Sequence, residues 1–189
     1  MLSLCPEGSA PVVTTQLTDA PAPVFTQVSA GKKIDATMQK CRVALFYMDL
    51  EAARGLIVDG KKLVDDGGDW DRRNRLKMYE AVVLMLDRDF KAAAALLLET
   101  IPTFTCTELC TYERFVQYAI VTNLLFLGRP ELKKKLVDGP EVLGVIGGLP
   151  PLEVMVNGLY DCDYAAFFKS LLDLEAELLK DRYLARNAR

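Results

Sequence analysis

At 189 residues and a formal net charge of −3, the chain suits one domain and lacks the basic surplus of a non-specific nucleic-acid binder. It contains no histidine, which excludes Ser-His, Cys-His and His-metal chemistry. The longest apolar run, Ala92–Leu98, is far too short to cross a bilayer.

Residues 1–31 are rich in Ala, Pro, Thr, Ser and Val and show no helical or strand period. Pro6, Pro11, Pro21 and Pro23 fall among them, and no Lys or Arg does, so no secretory signal is expected there. The expectation is a disordered tail over 1–32 and a helical-repeat domain over 33–189. The first helix is expected from Lys33 to Tyr47, with Ile34, Met38, Cys41, Leu45 and Phe46 inward. Asp49 reads as the cap of a second helix, Leu50–Val64, which Gly55 and Gly60 weaken.

Gly67-Gly68 separates this pair from the segment around which the chain is organised. Asp69 caps a helix running to about Asp87. Leu76, Tyr79, Val83 and Leu86 lie on one side of it, and Met78, Val82 and Met85 on another. A helix with two apolar sides needs cover on both. Asp89 caps the next helix, where Phe90, Ala93, Ala94, Leu97, Leu98 and Ile101 form one stripe that ends at Pro102. A loop over 103–110 precedes a helix from Tyr112 to Leu127 with Phe115, Tyr118, Ala119, Thr122 and Phe126 on one face. A short basic helix follows from Pro130 through Lys135, then one over 141–146, one from Pro150-Pro151 to about Tyr160, and a last from Tyr164 to Leu179 or beyond.

The turns recur. Asp49 to Asp89 is 40 residues, Asp89 to Pro130 is 41, and Pro130 to Asp163 is 33. Ala93, Ala94, Leu97 and Leu98 are mirrored by Phe167, Phe168, Leu171 and Leu172 at an offset of 74. Four degenerate hairpins of this length predict an all-α, TPR-like α-solenoid of antiparallel helical hairpins.

Little in the chain reads as catalytic. Cys106 and Cys110 are four apart, without a second pair to complete a metal site, and the five cysteines read as reduced thiols. Asp65, Asp66, Asp69 and Asp71 straddle two glycines and are better explained by capping than by a cation. Arg72, Arg73, Arg75 and Lys77 crowd the start of a helix, where the macrodipole disfavours cations. They read either as a salt-bridged face, with Asp69, Asp71 and Glu80 in reach, or as a contact between repeats or subunits. At the last helix Leu178, Leu179, Tyr183 and Leu184 are expected to form an exposed apolar end, with Arg186 in its basic flank. Weak self-association of the isolated chain through that end is expected.

GGDWDRRNRLKMYE and DRDFKAAAALLLETIPTFT resemble a family of 26S proteasome regulatory-particle lid subunits that carry a C-terminal PCI module. ALFYMDLEAA, TYERFVQYAIVTNLLFLGRPELKKKLVDGPEVL and LYDCDYAAFFKSL continue the resemblance over about residues 33–189. It implies a non-catalytic scaffold without cofactor or metal, working in ubiquitin-dependent degradation in the cytoplasm and nucleus. The implied partners are other PCI-family lid subunits and the proteasomal ATPases, with neither nucleic acid nor membrane. The PCI winged-helix module expected downstream is absent from this sequence. A COP9 signalosome subunit of related architecture, or a general TPR-like interaction module, is the alternative.

Overall fold

The computed structural model describes residues 29–185, so the expected tail lies, through residue 28, outside the described residues. Among the described residues the chain is all-α, without a strand. The helices are α1 Ala30–Tyr47, α2 Leu50–Asp65, α3 Trp70–Leu86, α4 Phe90–Thr100, α5 Tyr112–Asn123, α6 Arg129–Leu132, α7 Pro140–Ile146, α8 Pro150–Asp161 and α9 Tyr164–Leu178.

One turn is used three times. Met48, Arg88 and Cys162 take left-handed backbone, with φ of 59°, 65° and 62°, where α1, α3 and α8 stop. The next residue in each case is an Asp whose carboxylate accepts the N–H three residues on: Asp49 from Ala52, Asp89 from Ala92 and Asp163 from Ala166. The left-handed residue closes the outgoing helix and the Asp caps the incoming one. Two helices joined this tightly fold back on each other, and α1–α2, α3–α4 and α8–α9 are the most extensive helix pairs. Packing otherwise runs mainly between neighbours in sequence, α2 on α3 and α4 on α5, with α1 also reaching α3 and α5 reaching α7 and α8.

Both apolar sides of α3 are covered. Leu76, Met78, Tyr79, Val82, Val83, Met85 and Leu86 are all buried. Gly60 of α2, read from sequence as a weak point, lets α2 approach: a Cβ there would stand 2.9 Å from a Leu76 methyl. Ala93 and Ala94 are buried on the inner face of α4.

Several boundaries differ from the expectation. α1 begins at Ala30, so the first three of its residues fall inside the span read as tail. The signal was hidden because Gly31 is a poor helix former kept small for packing; a Cβ there would stand 2.9 Å from the Arg72 guanidinium carbon. α5 ends at Asn123, four residues early, where the Asn123 side-chain amide donates to the Ala119 and Ala94 carbonyls. Phe126, expected inward, lies beyond that end and is exposed. The basic helix after Pro130 widens into a π-helical turn over Lys133–Val137, closed by the Asp138 N–H to the Lys133 carbonyl at 2.8 Å. α9 stops at Leu178, and residues 179–185 turn back toward α1 and α5.

Ala93 is fully buried, so Ala93→Leu should overpack α4 and cost about 1–3 kcal/mol. A fall in melting temperature with helical circular dichroism retained below the transition is the expected result. An unchanged melting temperature would show that the site has room.

Candidate interaction surfaces

The basic start of α3 is neutralised by carboxylates, chiefly from other segments. Arg72 makes a two-pronged contact with Asp35 of α1, Nε to Oδ1 at 3.0 Å and Nη2 to Oδ2 at 2.9 Å, and its Nη1 reaches Asp69 at 2.5 Å. Arg75 donates through Nη2 to both oxygens of Glu108, at 2.7 Å each. Lys77 pairs with Glu99 of α4 at 2.7 Å. Asp69 is the one partner foreseen from within the helix; Glu80 instead pairs with Lys61 of α2 at 2.6 Å. Arg73 alone of the four candidates is exposed and has no ion-pair partner among the described residues.

Glu108 joins three segments. The Tyr79 hydroxyl donates to its Oε1 at 2.8 Å, and Arg42 of α1 stands 4.0 Å from its Oε2. Burial pushes the Glu108 carboxyl up, but the bonds from Arg75 and Tyr79 outweigh it, and the net shift is below the ordinary glutamate range. Asp35 is likewise held down by the hydrogen bonds from Arg72. Sequence reasoning missed Asp35, Glu99 and Glu108. An isolated Asp in a helix and an isolated Glu in a loop carry no pattern that names a distant arginine.

Three of the described cysteines are held as thiols by burial. Burial pushes Cys41 up to about 11, and Cys106 and Cys110 up to about 12, which keeps all three as thiols at neutral pH. Among the described residues no group of three or more Cys, Asp or Glu is placed to hold a metal ion.

The apolar end expected after α9 is largely covered. Leu178 and Leu184 are buried and Tyr183 is half-buried; Leu179 is the one that remains exposed. The cause is Asp181. Its Oδ1 accepts the N–H groups of Tyr183 and Leu184, and its Oδ2 accepts the Tyr118 hydroxyl of α5 at 2.8 Å. Arg182 then lies over the Phe46 ring of α1, 4.7 Å from its centroid, and donates to the Phe46 carbonyl. Arg186 lies outside the described residues. What is open is the outer side of α9, where Phe168 and Leu172 are 59% and 69% exposed.

These arrangements hold helices together and leave faces for docking. A family model for the 26S proteasome subunit RPN7 matches residues 25–135. The chain is 43% identical over 157 residues to a 26S proteasome non-ATPase regulatory subunit 6 homolog of Arabidopsis thaliana, covering 83% of this chain and 41% of that protein. It is 44% identical over 162 residues to the 26S proteasome non-ATPase regulatory subunit 6 of Dictyostelium discoideum, covering 86% and 42%. It is 42% identical over 163 residues to the 26S proteasome regulatory subunit rpn7 of Schizosaccharomyces pombe, covering 84% and 41%. The chain thus spans about two fifths of the length of these curated relatives.

Two outcomes follow from these paired carboxylates. A carboxyl held below its unfolded value stabilises the fold fully above that value and loses its contribution as pH falls through the folded value. Urea midpoints should therefore decline below about pH 4, and Glu108→Gln should be weaker at neutral pH with a shallower acid decline. Asp181→Ala should cost about 1–3 kcal/mol by stranding the Tyr118 hydroxyl, and hydrogen exchange should show the Tyr183 and Leu184 amides unprotected.

Proposed function

The chain belongs to the RPN7 family of 26S proteasome subunits, and from that premise we propose that it is a non-catalytic scaffold of the proteasome regulatory-particle lid. In this reading residues 33–189 are a TPR-like stack of helical hairpins that seats other lid subunits of the PCI family and the proteasomal ATPases, in the cytoplasm and nucleus. The observation that carries it is the RPN7 match over residues 25–135, which takes in the whole of α1–α6. Three features support it. The arginines and lysines at the start of α3 are mostly consumed in pairs between helices of the same chain. The described cysteines with raised thiols are buried or half-buried. The exposed large apolar residues, among them Val43, Tyr47, Trp70, Leu125 and Phe168, lie on the outside of helices and their ends, where a partner reaches them.

The test is affinity capture of the tagged chain from cells of its source, with mass spectrometry of what is retained. Lid subunits and proteasomal ATPases are the expected set. Recovery of a cullin-directed isopeptidase complex instead would move the assignment to the COP9 signalosome. Turnover of ATP or of ubiquitin conjugates by the purified chain would overturn the non-catalytic reading.

A further inference from the structure

α9 has two apolar sides, and only one is covered. Ser170, Leu174 and Leu178 are buried. On the opposite side Ala165, Phe168, Leu172, Ala176 and Leu179 are all exposed, spaced by three, four, four and three residues. That is the spacing of a seam between two long helices. α4 shows what such a face needs: α5 packs against it, and Ala94 and Leu97 are buried there. The equivalent positions of α9, Phe168 and Leu171, are exposed.

The charges beside the strip point to its occupant. Lys169 and Asp173 stand exposed on one flank, one turn apart, and neither has an ion-pair partner in its own chain among the described residues. We propose that a second copy of this chain docks here, its α9 running antiparallel about a two-fold axis level with Leu171 and Leu172. A two-fold contact is reciprocal: if i meets j, j meets i. In the antiparallel arrangement the same flanks face each other, so Lys169 of each copy meets Asp173 of the other. In a parallel pair the opposite flanks meet, and Asp173 of one copy comes beside Glu175 of the other, which is repulsive. Exposed ion pairs contribute little affinity but choose between orientations. The small residues Ala165 and Ala176 let the two backbones approach. The strip is one helix long, so association is weak and depends on concentration. This inference is independent of the proteasome assignment, since it rests on α9 alone.

The test is light scattering across a dilution series of the chain. The mass should rise from the 21.0 kDa monomer toward twice that value as concentration increases. Leu172→Glu should weaken association about tenfold or more, with its circular dichroism unchanged because Leu172 is exposed. Lys169→Asp should weaken it too, and adding Asp173→Lys in the same chain should restore it. A parent chain that stays monomeric throughout, or associates equally well with Leu172→Glu, overturns the proposal. An exchange that fails to restore association overturns the antiparallel pairing.

Discussion

α3 cannot stand alone, and the rest of the chain is arranged around that fact. Beyond its first two turns it is apolar around most of its circumference, so it gains from a neighbour on each side. α2 covers one side and α4 the other. The first two turns pose the opposite problem. They crowd Arg72, Arg73, Arg75 and Lys77 at the positive end of a helix dipole, with Asp69 and Asp71 only a partial answer. Asp35, Glu99 and Glu108 supply more, from α1, from α4 and from the loop before α5. Packing thus fixes what lies beside α3, and charge fixes what lies across its start.

Pairing of this kind is weak evidence for stability, because desolvating the charges costs much of what their attraction returns. Its value is in register. A guanidinium fork set on a carboxylate tolerates little sliding, so Arg72 on Asp35 determines how far along α3 the helix α1 can sit. Gly31 agrees with that geometry, since a Cβ there would stand 2.9 Å from the guanidinium carbon and push the fork aside. Arg54 and Asp87 repeat the device, joining α2 to the end of α3 through bonds of 2.7 and 2.6 Å.

What was legible in the sequence was local. The Asp caps, the glycine breaks and the stripes of α1 to α4 are set by residues within a turn of one another, and they emerge as read except for Phe46, which was expected inward but is exposed at the end of α1, under Arg182. The basic cluster was legible as a problem needing carboxylates, while the identity of three of them, Asp35, Glu99 and Glu108, was not. Asp35 and Arg72 are 37 residues apart, and no periodicity links them. Two of the misreadings share a cause. α5 was extended past Asn123, and the last helix was allowed past Leu178, because both continue with helix-compatible residues. The residues that stop them, Asn123 and Asp181, act through side chains whose partners lie in other elements.

The last hairpin shows how one turn can be reused for a different end. α8–α9 has the same left-handed residue and the same Asp cap as α3–α4. The sequence parallel at offset 74 therefore predicts the same buried face, and the structure departs from it. α4 has α5 beyond it; α9 has no helix beyond it among the described residues, and the segment after it folds back toward α1. That return covers Leu178 and Leu184 with Asp181 as its anchor, but a short strap shields only one side of a helix. The larger apolar residues Phe168 and Leu172 are left on the other. A turn dictates that two helices meet. What covers their far sides is decided by what the chain, or another chain, brings next.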